Sequence, residues 1–123
     1  MADALPLPHH PEFTAELDEL VRREPREAQA VARAIALLAA GGRTVGYPHS
    51  SAVRGGRQPG LRELRPRRGH SRYRVLYVLG DDGPVLLAIA HEAASDARRF
   101  AQAVERARIR LADLTEGEDD ACC

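Results

Sequence analysis

An α+β domain is the fold class this sequence predicts, and three patterns predict it. Apolar residues between Pro11 and Ala39 recur at helical spacing, with a break at Pro25. Residues 61–90 then switch to short strand-like segments, the last two joined by the hairpin signal Gly80-Asp81-Asp82-Gly83. A third helical stripe follows Ser95. The expected order is helix, helix, three antiparallel strands, helix, with the helices packed on one side of a small twisted antiparallel sheet.

Residues 1–10 form an irregular lead-in, with a short extended piece expected at Ala4–Leu7. From Pro11, Phe13, Leu17, Leu20 and Val21 draw one stripe. Pro25 stops that helix and suits the first position of the next. The second stripe comprises Ala28, Val31, Ala32, Ile35, Leu38 and Ala39, and Gly41-Gly42 ends it. Helices this short need a sheet on which to bury their stripes. Residues 43–60 lack periodicity and read as one long loop, a common place for function. Leu61–Pro66 is a short strand closed by Pro66, and residues 67–71 form a turn. Along Arg72–Leu79, Tyr73, Val75, Tyr77 and Leu79 share one face, while Arg72, Arg74, Leu76 and Val78 share the other. Val85–Ala90 is nearly all apolar, as in a strand covered on both faces. Ser95 or Asp96 can cap the last helix, whose stripe is Ala97, Phe100, Val104, Ala107, Leu111 and Leu114. Residues 11–114 form a single domain, and the acidic stretch 115–123 is expected to be disordered.

The chain has 123 residues, 18 arginines, no lysine and only five aromatics. Every side-chain cation apart from histidine is therefore permanent, and the core must be aliphatic. Net charge is zero but segregated: residues 1–42 carry −3, residues 43–74 carry +8 and residues 75–123 carry −5. That balance argues against indiscriminate nucleic-acid binding, while the basic middle supports one surface that faces a polyanion. Neutralisation by acidic helices folded over it is the alternative. Cys122 and Cys123 are adjacent, so they neither staple the fold nor match a metal site. No signal-like or membrane-length apolar run is present, and a cytoplasmic protein is expected.

Four arginines, Arg62, Arg65, Arg72 and Arg74, fall within thirteen residues of strand-like sequence. A strand arginine must meet a carboxylate or another anion to be tolerated, and the guanidinium fork matches phosphate. Arg67 and Arg68, in the turn, are expected to be exposed and mobile enough to track phosphates. The alternative for Arg65 and Arg74 is a structural pairing with Glu63 or with helix carboxylates. His91 titrates near neutrality and could move a proton, with Glu92 beside it, though it could equally be an ordinary strand-end histidine. Tyr73 and Tyr77 could assist or simply fill the core.

Leu61-Arg62-Glu63-Leu64-Arg65, the glycine-containing turn, Tyr73-Arg74-Val75-Leu76-Tyr77, the acidic hairpin and the apolar strand together resemble the RelE/ParE superfamily of bacterial toxins. Leu38, Gly42, the run Gly46-Tyr47-Pro48-His49-Ser50 and Gly55-Gly56 are similar to its HigB-like, phage-derived branch. The resemblance spans about residues 11–114 and implies a RelE-like fold. It also implies the toxin of a type II toxin–antitoxin system, a ribosome-dependent endoribonuclease that cleaves mRNA by 2′-OH attack without metal or other cofactor. Such cleavage needs a base, an acid and cations for the phosphorane. Arg65 and Arg74 match the family's motif arginines, and His91 stands where many relatives carry a lysine or another polar residue. These three are the expected catalytic residues, with Arg54, Arg67, Arg68, Arg72 and Tyr73 as RNA contacts. The usual Phe-x-Lys-Lys signature is replaced here by Ala90-His91-Glu92-Ala93-Ala94. The implied partners are a helix-turn-helix antitoxin and mRNA on the ribosome, with operator DNA reached only through the antitoxin. A ParE-like gyrase inhibitor, or a non-toxic relative that only binds an antitoxin, is the alternative function.

Overall fold

A computed structural model describes residues 5–54 and 58–122, with side chains described through residue 115. Two helices, α1 (Pro11–Arg23) and α2 (Pro25–Gly41), precede four strands: β1 (Ser50–Ala52), β2 (Arg62–Leu64), β3 (Tyr73–Gly80) and β4 (Gly83–His91). A long helix, α3 (Ala97–Cys122), closes the chain. The α+β class and the antiparallel meander are as the sequence predicts. The strands pair in chain order, β1-β2-β3-β4, all antiparallel.

Local chemistry explains the helix boundaries. His10 caps α1, its ring nitrogen Nδ1 accepting the Glu12 N–H at 3.0 Å. Glu24 leaves helical geometry ahead of Pro25, yet its N–H still reaches the Leu20 carbonyl at 2.7 Å. Asp96 caps α3 by accepting the Arg99 N–H at 3.0 Å. That helix extends to Cys122, past the expected end at Leu114. Cys123 and residues 1–4, which include Ala4 of the extended piece expected at Ala4–Leu7, lie outside the described residues, and residues 5–7 form no strand. The lead-in instead docks slightly later, where Leu86 donates to the Pro8 carbonyl at 2.9 Å and His10 donates to the Leu86 carbonyl at 3.0 Å.

Three expectations need correction. The loop 43–60 contains β1, which pairs with β2 through Ser50–Leu64 and Ala52–Arg62. Its Ser-Ser-Ala sequence has no β propensity to betray it, and only the partner strand makes it a strand. Val21 is 43% exposed and drops out of the α1 stripe. The helices also do not share one side of the sheet. Leu64, Tyr73, Val75, Tyr77, Leu86 and Ile89 pack with α1 and α2, whereas Leu61, Leu76, Leu87, Ala88 and Ala90 pack with Ala103 and Ala107 of α3. A sheet whose two longest strands, β3 and β4, are apolar on both faces must be covered on both. A bulge serves this arrangement. Leu76 faces Ala88 and Tyr77 faces Leu86, so Leu87 is the extra residue, and it joins Ala88 on the α3 side.

Candidate functional site

β4 is the last strand of the sheet, and α1 and α3 close over its outer edge. Glu16 of α1 accepts the Ile89 N–H at 3.0 Å and pairs bidentately with Arg110 of α3 at 2.9 and 3.1 Å. Arg110 and Arg106 in turn donate to the Leu87 and Ile89 carbonyls at 2.9 and 3.1 Å. Backbone groups that would otherwise template a further strand are thereby satisfied by side chains. Above this clamp opens a cleft of about 500 Å³, lined by Glu16, Glu19, Arg23, Arg99 and Arg106, with Tyr73, Ile89 and His91 at its base.

His91 and Tyr73 are directly paired across β3 and β4, with ring centroids 5.1 Å apart. Arg99 Nη1 lies 3.2 Å from His91 Nε2. Guanidinium is only a donor, so Nε2 carries the lone pair and the proton sits on Nδ1. Burial, and then the Arg99 charge, hold the imidazole pKa below its ordinary 6.5. The Tyr73 hydroxyl donates to Glu24, which also accepts from Arg72 Nη2 at 2.6 Å. Those two bonds, Tyr73's the larger effect, lower the Glu24 pKa. Burial, followed by the bond to that carboxylate, raises the Tyr73 pKa and keeps the phenol protonated. Near neutral pH the cleft thus holds a neutral imidazole and a neutral phenol beside Arg23, Arg99 and Arg106, with the Glu16 and Glu19 carboxylates on its wall.

The expected catalytic trio is divided by the sheet. Arg74 is paired with Ala90, not His91, and adjacent strand residues point to opposite faces. Arg74 is 4% exposed, and its guanidinium is bound internally. Nη1 donates to the Ser71 and Tyr73 carbonyls at 2.6 and 2.9 Å, and Nη2 donates to Glu92 at 3.0 Å. Nε lies 3.5 Å from Glu63 Oε1, within ion-pair reach but without a hydrogen bond. Glu63 also accepts from Arg65 Nη1 at 3.1 Å, while Arg65 Nε donates to the Pro48 carbonyl at 3.2 Å. Arg65 and Arg74 are therefore brought together around a shared carboxylate, and His91 stands apart from both. Arg72 departs from strand alternation because it precedes β3, which lets its side chain turn to Glu24.

Around the turn Pro66–Gly69 the expectations divide. Arg67 is pinned, pairing with Glu27 of α2 and reaching the Arg26 carbonyl at 3.4 Å, so it is not the mobile arginine anticipated. Glu27 also accepts from Ser71 Oγ at 2.7 Å, which ties the turn to α2. Arg68 is exposed with no ion-pair partner among the described residues, and Arg54 is exposed as well. Arg67 and Arg68 adopt left-handed φ values of 54° and 55°, a conformation costing about 1–2 kcal/mol per residue. Gly69, at φ 95°, lies so close to Arg65 that a Cβ there would fall 2.6 Å from Arg65 Nη2. Only glycine lets both the turn and the guanidinium occupy this space. Arg62 donates to Ser50 Oγ at 3.1 Å and the Tyr77 hydroxyl at 3.3 Å, a structural role. Tyr77 itself is core, 1% exposed.

Sequence reasoning missed Glu24, Arg23, Arg99 and the Glu16 clamp. A weak signal existed for Arg99, since a helix opening five residues after a strand must return its first turn to that strand's end. No signal existed for Glu16, whose partners lie on distant elements. Among the described residues no group of three potential metal ligands occurs, and no helix is long and apolar enough to cross a membrane.

The class defined by this fold and cleft is a small α+β protein with three helices on a four-stranded antiparallel sheet and an arginine-lined pocket at the end of its last strand. The phage-derived protein Gp49-like (DUF891) family model matches residues 4–113, nearly the whole chain. The chain belongs to this Gp49-like family, which is toxin-like in the general RelE manner. No curated protein and no solved structure matches it.

Proposed function

We propose that the chain is the toxin of a type II toxin–antitoxin pair of the HigB-like branch, acting as a ribosome-dependent mRNA endoribonuclease. The observation that carries this reading is His91, a neutral imidazole at the base of an open cleft, with Arg99 on its lone pair and Arg23 and Arg72 nearby. Transfer within RNA requires a base for the 2′-OH and cations for the charge that develops on the phosphorane. His91 Nε2 takes the hydroxyl proton once Arg99, whose side chain is 60% exposed, swings from the imidazole to the phosphate. As the 2′-oxygen bonds to phosphorus the bond to the 5′-oxygen breaks, and that oxygen leaves with a proton from solvent. Arg23 and Arg72 add positive potential at the rim. Arg65 and Arg74 hold the end of the sheet in shape and do not touch RNA, which moves the catalytic assignment from them to Arg99. Family membership supports the toxin reading, and with it a cytoplasmic site of action and a neutralising helix-turn-helix antitoxin through which the pair reaches operator DNA.

One observation favours a second reading. The two motif arginines are internally paired, which removes the strongest sequence argument for phosphate chemistry. A non-catalytic relative, gyrase-directed or bound only to an antitoxin, would retain this fold unchanged.

Controlled induction in a bacterial host followed by 5′-end mapping of transcripts separates the two. The endoribonuclease reading expects new ends within translated messages. It also expects His91→Ala and Arg99→Ala to lower their yield by about 10²–10⁴-fold and about 10²-fold respectively. Growth arrest with double-strand DNA breaks and intact messages would replace it with the gyrase reading.

A further inference from the structure

A second surface, formed by α2, the Tyr47 loop and the Pro66–Gly69 turn, shares no lining residue with the His91 cleft. Tyr47 is 78% exposed, well above the next large apolar side chain, Ile109 at 49%. The loop beneath it is braced. His49 and Ser50 donate to the Gly46 carbonyl at 2.9 and 3.1 Å, and Arg65 N donates to the His49 carbonyl at 2.8 Å. Arg65 grips the Pro48 carbonyl, and its guanidinium carbon lies 5.3 Å from the Tyr47 ring centroid. An aromatic ring is thus held on a fixed support with most of its surface in solvent.

The same loop, through His49, borders a shallow cleft of about 340 Å³ lined also by Arg33, Arg67 and Arg68 over a floor of Ala30, Ala34 and Leu37. Arg33 and Arg68 are exposed and have no carboxylate partner among the described residues. Arg68 is held out by its left-handed backbone, and strained residues of this kind cluster at binding sites. We propose that this face binds single-stranded RNA, with one base stacked on Tyr47 and the adjoining phosphates on Arg33 and Arg68. A ring next to unpaired guanidinium groups is the minimal equipment of single-strand recognition, since every base offers a π face and every linkage a charge. A protein partner would call for a larger contiguous apolar centre, and here the small apolar floor of Ala30, Ala34 and Leu37 is rimmed by arginines. The inference rests on the RNA-directed function only for its choice of ligand.

The test is fluorescence anisotropy of the purified full chain with a labelled oligoadenylate of about 12 nucleotides, within the range that single-strand sites occupy. Tyr47→Ala should weaken binding about tenfold, while Tyr47→Phe, which keeps the stacking face, should stay within about twofold. Arg68→Ala should weaken it several-fold and flatten its salt dependence. Tyr47 is so exposed that circular dichroism of these variants should match the parent. The proposal is overturned if the parent does not bind, or if Tyr47→Ala and Arg68→Ala bind as the parent does. A polyglutamate peptide that competes at the same site and binds more tightly would also overturn it and make this face a protein-docking surface. Tyr47-dependent binding together with intact messages in the induction experiment would leave this site standing and remove the endoribonuclease.

Discussion

Arg72 and Arg74 flank Tyr73, yet they belong to regions of opposite character. The Arg74 region is closed: two carboxylates and several carbonyls surround a guanidinium that is 4% exposed, and Arg65 completes the set. The region of His91, Arg23 and Arg99 is open, and its charged groups line a cleft instead of filling a gap. Arg72 joins it only through Glu24, which Tyr73 also reaches. Both are rich in arginine and both lie at the same end of the sheet. An arginine whose donors are mostly taken up inside the fold stabilises the fold, and one with unfilled donors beside a cavity can meet a ligand. Residue type and motif position do not make that distinction.

Removing Arg74 should have the largest effect. Arg74→Ala takes the Arg74 pairing from Glu92, leaves Glu63 with Arg65 alone and frees the Ser71 and Tyr73 carbonyls, and should cost about 3–5 kcal/mol in urea denaturation. Loss of toxicity in that variant would then reflect unfolding. If it unfolds within about 1 kcal/mol of the parent, the closed region is not structural and Arg74 returns as a candidate for contact with RNA. Glu16→Gln tests the clamp between the two helices that frame the open region. It removes the charge that pairs with Arg106 and buried Arg110, at an expected cost of about 2–3 kcal/mol. Gly69→Ala forces a side chain into a left-handed residue and against Arg65. A loss of about 1–3 kcal/mol is expected, with Arg65 displaced from Pro48.

The smallest effect lies in the open region. Arg99→Gln should raise the His91 pKa toward 6.5 by removing the second cause of its depression, as read by NMR titration of the ring. Little change in melting temperature is expected, because Arg99 is largely exposed. The sign of the pH dependence follows from the same shift. A folded pKa below the unfolded one means the unfolded chain binds more protons between the two values. His91's contribution to stability is therefore complete above about pH 6.5 and is lost as pH falls through the folded pKa. A His91 pKa that does not move in Arg99→Gln would show that the arginine and the imidazole are not in contact.

Much of the fold was legible because its signals are local. Pro25, the Gly80–Gly83 hairpin and the apolar stripes act within a few residues, and each produced the expected element. Ser50–Ala52 was not legible, because a three-residue strand of small residues exists only through its pairing with Arg62–Leu64. The two-sided cover was half legible: an all-apolar Val85–Ala90 already required it, yet nothing local said which helix would lie on which side. Of the candidate site, His91, Tyr73 and Arg72 were found as residues, and their grouping was not.

By itself the sequence determined the number and order of the helices, the hairpin that joins the two longest strands, the aliphatic core and the concentration of positive charge in residues 43–74. Short-range periodicity and backbone preference set all of these, and they are written in consecutive residues. Tertiary structure alone decided which arginines are enclosed and which are available. The partners that settle it lie far along the chain, Arg74 to Glu92 across 18 residues and Arg110 to Glu16 across 94. An ion pair depends on distance and burial in space, and neither is defined until the helices have closed on the sheet.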